Sequence, residues 1–326
     1  MTEHPDQLLL ILMGLPASGK TTYAMSWVAE DPDNRVRLNY DDVRLELYGP
    51  DWKFNHPEEQ FMKALVGKRA EEALVAGKSV VIDNTNLTTG VRKRWEDLAR
   101  SLGVTHETYE IDTPVAECVR RDRLREGRAR VRQAVIDRMA LTTGWIDWND
   151  RTVYPNDFII VDLDGTVADC SARLVKLGPH MRHKMDCSYY VDAWPYCQEC
   201  GAVWKKDWDA FFDGVEHDEP IEPILDLVKT LYGGEWGPDI LIVSGRPIDK
   251  AGKVTEDWLL KHFPVKWRHL FMRNGGDHRP DVEVKQEILD YLPKDRIRYV
   301  IDDRDRVVEM WRKNGLTCLQ VAEGKF

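Results

Sequence analysis

Leu8-Leu9-Leu10-Ile11-Leu12-Met13, running directly into Gly14-Leu15-Pro16-Ala17-Ser18-Gly19-Lys20-Thr21-Thr22, decides how the first half of this chain folds. The apolar run is far too short to cross a bilayer and has the length of a buried strand. The residues after it fit GxxxxGK followed by Thr, and a helical pattern begins at Lys20, so the motif stands between a strand and a helix, as a phosphate-binding P-loop must. Gly14, Pro16, Ser18, Gly19, Lys20, Thr21 and Thr22 are the expected nucleotide contacts. Backbone N–H groups and the helix N-terminus cradle phosphates, Lys20 reaches the transferring phosphoryl, and the Thr21 hydroxyl ligates Mg²⁺. The bland alternative is a glycine-rich turn that binds nothing.

Working outward, apolar runs alternate with helical periods: Val36 to Asn39, Ser79 to Asp83 and Val104 to Ile111 are expected strands, each followed by a helix. That alternation predicts a parallel sheet covered by helices. The second half repeats it at Phe158 to Val161, Ile240 to Val243, Tyr299 to Ile301 and Cys318 to Val321. Tyr154-Pro155-Asn156-Asp157 breaks the chain just before a new strand. The expectation is two α/β domains, 1–152 and 153–326, and a length of 326 residues agrees with two cores.

The composition, 43% apolar and 31% charged, is that of a soluble globular protein. A net charge of -10 argues against coating duplex nucleic acid with a broad basic face, but leaves room for arginines gripping a strand end. No basic leader precedes Leu8, no membrane association is expected, and the 6 cysteines point to a reducing, cytoplasmic compartment.

A P-loop alone does not name an acceptor. Asn39-Tyr40-Asp41-Asp42-Val43-Arg44 follows the second strand, at the carboxyl edge where open α/β sheets bind ligands. Asp41 could take a proton from an acceptor hydroxyl, and Arg44 could hold a phosphate beside it; the alternative is that Asp41 or Asp42 caps the next helix. Arginines crowd positions 120 to 132, and a few of them suit the charge that spreads over phosphate oxygens during transfer.

Asp162-Leu163-Asp164-Gly165-Thr166 follows the strand at Phe158. Asp162 can attack phosphorus, while Asp164 can protonate the leaving oxygen and then activate water. Ser244-Gly245-Arg246 ends one strand and Asp302-Asp303-Arg304 ends another. Asp281 and Lys285 share a helix face, and the acidic residues Asp162, Asp164, Asp302 and Asp303 are the expected Mg²⁺ ligands.

These residues resemble the phage polynucleotide kinase-phosphatase family, a P-loop 5′-kinase fused to a haloacid dehalogenase-type, Rossmannoid 3′-phosphatase. The likeness is strongest from Ile301 through Val307-Val308-Glu309-Met310-Trp311-Arg312 to Gly324-Lys325-Phe326. It implies ATP and Mg²⁺ at Lys20 and Thr21, Asp41 as base for a 5′-hydroxyl, Arg44 on the acceptor phosphate, and Arg121 and Arg125 as lid arginines. Asn84-Thr85-Asn86 resembles an acceptor-side Asp-Thr-Asn with asparagine first, which leaves neighbouring Asp83 as the alternative source of the charge. In the second domain it implies Asp162 as nucleophile, Asp164 as acid and base, Lys285, Ser244 and Arg246 in catalysis, and Arg173, Asp281 and Arg304 around a 3′-phosphate or 2′,3′-cyclic phosphate of RNA or DNA. It also implies a homo-oligomer, a ligase as functional partner and the cytoplasm of a phage-infected host.

Residues 178–206 look like an insertion relative to those phages. Cys197-Gln198-Glu199-Cys200-Gly201 has the spacing of a zinc knuckle, with Cys187 and His183, or His180, to complete a tetrahedral Zn²⁺ site. Free thiols on a loop or a redox pair are the alternatives. Cys118, Cys170 and Cys318 are expected in the core. Two rival functions remain at this stage: a kinase and phosphatase of nucleosides or other small metabolites, and a nucleotide-dependent binding or switch protein.

Overall fold

The computed structural model describes residues 7–174, 179–180, 205–234 and 236–324. Contacts divide the chain into two compact units, Met1–Val131 with Thr143–Trp145, and Arg132–Thr142 with Ile146–Phe326. The expected junction near residue 152 therefore differs from this division, in which residues 132–142 and 146–152 pack with the second unit.

The first unit runs β1 (Leu8–Met13), α1 (Lys20–Ala29), β2 (Arg35–Leu38), α2 (Tyr40–Tyr48), α3 (His56–Val75), β3 (Ser79–Ile82), α4 (Thr89–Leu102), β4 (Thr105–Glu110) and α5 (Val115–Arg123). Its sheet has the order β2-β3-β1-β4 and is parallel throughout, with Ile11 beside Ile82 and Leu12 beside Tyr109. Leu9, Ile11, Val80, Ile82 and Trp95 fill one face; Leu10, Leu12 and Val81 face the other way, onto Ala24 of α1. Both faces being covered, the central strands read as continuous apolar runs rather than as alternating ones.

The second unit begins with α6 (Gln133–Thr142), continues with β5 (Phe158–Val161), a short β6 (Ala168–Asp169), α7 (Ser171–Leu174), β7 (Pro179–His180), β8 (Lys205–Lys206), α8 (Trp208–Phe212) and β9 (Glu219–Pro220), and then α9 (Glu222–Tyr232). There follow β10 (Asp239–Pro247), α10 (Ile248–His262), β11 (His269–Arg273), α11 (Asp281–Asp290), β12 (Ile297–Arg304), α12 (Asp305–Lys313) and β13 (Cys318–Gly324). The main sheet is parallel in the order β11-β10-β5-β12-β13.

Helix α6 joins this unit through buried polar bonds as well as packing. Asp137 accepts the Leu270 N–H at 2.8 Å and lies 2.8 Å from His269 Nδ1, whose Nε2 is 3.0 Å from the Tyr154 hydroxyl. Asp137 is wholly buried, and these partners are what make its burial tolerable. Strand β11 has no counterpart among the expected strands. Cys118, Cys170 and Cys318 are buried, as expected.

Candidate phosphate-handling sites

In the first unit the P-loop joins β1 to α1. Thr113 Oγ1 and Arg121 Nη1 both donate to the Ser18 carbonyl, at 2.8 and 3.1 Å, so one expected lid arginine already rests on the loop. Arg125 donates to the Ala129 carbonyl at 3.4 Å. Ala17 sits at φ 63, in the left-handed region where glycine is at ease. Lys20 turns its ammonium back onto the Gly14 and Leu15 carbonyls, at 3.0 and 2.7 Å. Burial pushes its pKa down from 10.5 to about 8.

At the end of β2, Asn39 and not an aspartate caps α2: its Oδ1 accepts the N–H groups of Asp41 and Asp42, at 2.8 and 3.1 Å. Asp41 is thereby freed from the capping alternative. Its carboxylate is exposed and pairs with Arg44 one turn on, and Arg44 is held bidentate by Glu59 at 3.0 to 3.1 Å.

The Asn84-Thr85-Asn86 segment is largely spent on the fold. Asn84 Oδ1 accepts the Tyr40 N–H, the Thr85 carbonyl accepts the Gly14 N–H, and Asn86 Nδ2 donates to the Leu12 carbonyl at 2.7 Å. Asp83 pairs with Arg37 through Oδ2. Its buried Oδ1 accepts no hydrogen bond among the described residues. An orphaned buried carboxylate oxygen beside the P-loop lysine fits a nucleotide accompanied by Mg²⁺ and its waters.

In the second unit the carboxyl ends of β5, β10 and β12 converge. One oxygen each from Asp162, Asp302 and Asp303 lies within 4.8 Å of the others. Lys285 reaches in from α11, 2.8 Å from Asp162, 2.9 Å from Asp302 and 3.7 Å from Asp281. Three carboxylates against one ammonium leave an excess of negative charge that suits a divalent cation with oxygen ligands. Burial pushes the Asp162 pKa well above the ordinary carboxylate range despite Lys285, and pushes Asp303, next to Asp302, up to about 6.

The two glycines of these motifs are there to make room. A Cβ on Gly165 would lie 2.4 Å from Asp303 Oδ2, and Gly165 has φ 79; a Cβ on Gly245 would lie 2.1 Å from Asp281 Oδ1. Asp281 also takes Arg304 at 3.1 Å and Arg273 at 3.3 Å. Ser244 is buried, and its Oγ accepts the Arg246 N–H at 3.3 Å.

Asp164, expected among the metal ligands, is instead turned toward arginines. Arg246 donates to its Oδ1 at 2.6 Å through Nη2, and Arg173 donates to the same oxygen at 2.5 Å. Burial would raise the Asp164 pKa, but Arg246 and then Arg173 outweigh it and hold the pKa at about 2. Both guanidiniums are shared with Asp218, which accepts Arg173 Nε at 2.6 Å and Arg246 Nη2 at 2.8 Å. Asp218 had no place in the sequence reading, because it sits in Glu216-His217-Asp218-Glu219, which reads as a solvated polar turn. Trp311 was likewise unassigned to the site, although its indole N–H donates to Asp302 Oδ2 at 3.0 Å. His183, Cys187, Cys197 and Cys200 lie outside the described residues, as does the side chain of His180.

A P-loop on a parallel sheet followed by a buried Asp-x-Asp-Gly-Thr site on a second parallel sheet defines a kinase-type nucleotide domain joined to a haloacid dehalogenase-type phosphatase domain. Residues 206–326 match the family of polynucleotide kinase PNKP phosphatase domains, and residues 9–143 match the AAA domain family. Each match covers less than half of the chain, and the two fall on successive parts of it. It is 26% identical over 323 residues to a proposed bifunctional polynucleotide kinase/RNA ligase of Autographa californica nuclear polyhedrosis virus, an alignment covering 93% of this chain and 41% of that protein. It is 36% identical over 103 residues to a bifunctional polynucleotide phosphatase/kinase of Schizosaccharomyces pombe, covering 32% of this chain and 20% of the relative. The chain therefore spans less than half the length of both relatives. A chain of the solved Pnkp1/Rnl/Hen1 RNA repair complex is 23% identical, with 100% of this chain and 99% of that one covered at a TM-score of 0.36. No helix among the described residues is long and apolar enough to cross a membrane.

Proposed function

We propose that this chain heals broken nucleic-acid ends, phosphorylating a 5′-hydroxyl with ATP and removing a 3′-phosphate, so that a ligase can join them. The observation that carries the reading is the pairing of a complete P-loop with a buried Asp162, Lys285, Asp302 and Asp303 cluster, of which Lys285, Asp302 and Asp303 lie inside the segment matching polynucleotide phosphatase domains. The S. pombe relative, named a polynucleotide phosphatase/kinase, supports it.

In the kinase half, Asp41 would take the proton of the attacking hydroxyl, Arg44 would hold the first phosphate of the acceptor, and Lys20 with Arg121 would stabilise the phosphoryl in flight. In the phosphatase half, Asp162 attacks phosphorus and the bond to the 3′-oxygen breaks, leaving an aspartyl-phosphate and an alcohol that takes a proton. Water then attacks that phosphate, giving its proton to Asp164 and releasing Asp162. Mg²⁺, when bound, neutralises charge on the phosphoryl oxygens. Asp303 accepts Thr166 at 3.2 Å, whereas Asp302 is filled by Lys285, Trp311 and the Arg304 N–H, so among the described residues Asp162 and Asp303 suit direct ligation best. As the site stands, Arg246 and Arg173 keep Asp164 ionised and ready to act as base. To protonate the leaving 3′-oxygen Asp164 must first take up a proton from solvent, and a phosphate that engages Arg246 would favour that uptake by weakening the Arg246–Asp164 pair.

Incubation with labelled ATP and an oligonucleotide carrying a 5′-hydroxyl and a 3′-phosphate tests both halves. Label on the strand and free phosphate are expected; transfer to mononucleosides alone, or nucleotide binding without turnover, would overturn the reading. Parallel RNA and DNA strands, with and without a 2′,3′-cyclic end, assign the preferred substrate. Cys187, Cys197, Cys200 and His183 are proposed to hold a structural Zn²⁺ on the strength of their spacing. Elemental analysis finding well under half an equivalent would remove that site.

A further inference from the structure

The sequence Gly49-Pro50-Asp51-Trp52-Lys53-Phe54-Asn55, between α2 and α3, is polar apart from Pro50 and its two aromatic rings, and it stands beside the residue assigned to the acceptor phosphate. The Trp52 ring stacks on Tyr48 with centroids 5.6 Å apart and planes at 19°, and Phe54 meets its edge at 6.1 Å. The Arg44 guanidinium carbon lies 5.4 Å from the Trp52 ring centroid. Three anchors fix the assembly: the Trp52 indole donates to Glu58, the Trp52 carbonyl accepts Arg128 from the arginine-rich segment, and the Tyr48 hydroxyl donates to the Glu58 carbonyl. Despite this anchoring Phe54 remains 72% exposed, with Phe61 at 61% and Leu45 at 56%.

These bonds hold Trp52 and Tyr48, while Phe54 rests on the edge of Trp52 and stays open to water, so the assembly presents an exposed ring that suits an occupant with a flat apolar face. The surrounding cations say which. Arg44 lies over the Trp52 ring and Arg128 binds the Trp52 carbonyl; of the acids close by, Glu58 accepts the Trp52 indole N–H and Glu59 is engaged by Arg44 and Lys63. Alternating guanidinium and aromatic groups match alternating phosphates and bases, the arrangement by which proteins grip a single strand without reading its sequence. A duplex end keeps its bases paired and stacked on one another, and so offers these rings no free faces beyond the terminal pair.

We propose that Trp52 and Phe54 form a stacking platform for the first bases of a single-stranded acceptor whose 5′-hydroxyl is delivered to Asp41. The proposal rests on the polynucleotide kinase reading and adds to it that the enzyme selects unpaired ends by their bases as well as by their phosphates.

The test compares kinase KM on two 5′-hydroxyl decamers, one normal and one with abasic residues at its first three 5′ positions. Wild type should favour the normal strand by roughly tenfold, the scale of one stacked base. Phe54→Ala should erase that preference, and Phe54→Tyr should keep it. Phe54 is too exposed for its loss to unfold the unit, and an unchanged thermal midpoint would establish this. Equal KM values for wild type on the two strands, or a preference that survives Phe54→Ala, would overturn the platform while leaving the kinase reading intact. Phosphorylation of neither strand would overturn both. A change in sedimentation on Phe54→Ala without any change in strand preference would assign the patch to a protein contact and reject the proposal.

Discussion

Asp218→Asn is the most informative single change in the second unit, because it removes one charge and almost no volume. Asp218 is 5% exposed and accepts three charge-assisted bonds: Arg173 Nε at 2.6 Å, Arg173 Nη2 at 2.7 Å and Arg246 Nη2 at 2.8 Å. Asparagine keeps a single acceptor oxygen, so whichever way it turns at least one of these bonds is lost and an amide N–H₂ faces a guanidinium. One such bond contributes about 1.5 to 3 kcal/mol. Adding the cost of a buried cation that has lost its partner gives roughly 3 to 5 kcal/mol. Urea unfolding of the whole chain, fitted as two transitions because there are two units, should show the second unit's midpoint fall by about 1 M or more. Both guanidiniums would then be balanced by Asp164 alone, and phosphatase turnover should drop while the kinase, assayed on the same sample, is unchanged. A midpoint within about 0.3 M of wild type together with full phosphatase activity would refute the claim that Asp218 holds the arginines in place.

Lys20→Ala is expected to abolish the kinase alone and Asp162→Asn the phosphatase alone; loss of both activities from either change in a folded protein would contradict independent sites. Nucleotide affinity should vary with pH through Lys20. Its pKa in the free protein is lowered by burial to about 8, phosphates favour the charged form, and so ADP binding should be flat below about pH 8 and weaken above it, with proton uptake visible by calorimetry in that upper range. Arginine at position 20 should flatten the profile. Trp311→Phe removes one donor from Asp302 while Lys285 remains, which should cost about 2 kcal/mol of stability and raise the Mg²⁺ concentration for half-maximal phosphatase rate, leaving the kinase unaffected.

The strands whose bounds match most closely are those buried on both faces, because burial writes itself as an unbroken apolar run: Phe158 to Val161 coincides with β5, and Leu8 to Met13 with β1, while the polar, mostly exposed β4 falls within the expected Val104 to Ile111. Strand β11 escaped because its apolar stretch is only Leu270 to Met272, between His269 and Arg273, although Asn274-Gly275-Gly276 closes it. Its polar ends are accounted for by long-range partners, Asp137 for His269 and the Gly245 carbonyl for Arg273, which no local pattern discloses. The same limit applies to the sites. Residues carried in short motifs, Lys20, Asp162, Asp302 and Asp303, were recognisable because the motif fixes their surroundings. Asp218 and Trp311 act on groups 45 and 9 positions away, and only the folded backbone reveals them. The helix at Gln133–Thr142 shows the difficulty at the scale of a domain: its periodicity announces a helix but says nothing of which sheet it will cover.

The bare Cα atoms of Gly165 and Gly245 have a consequence for how this enzyme can vary. Each marks a spot where a carboxylate leans on the main chain, so the acidic centre is shaped by atoms that are missing. In a saturation scan, both positions should reject even alanine, the smallest possible gain, while the fully buried Leu163 nearby accepts other apolar side chains of similar bulk. Tolerance in this site would then track the room left for added atoms rather than depth beneath the surface.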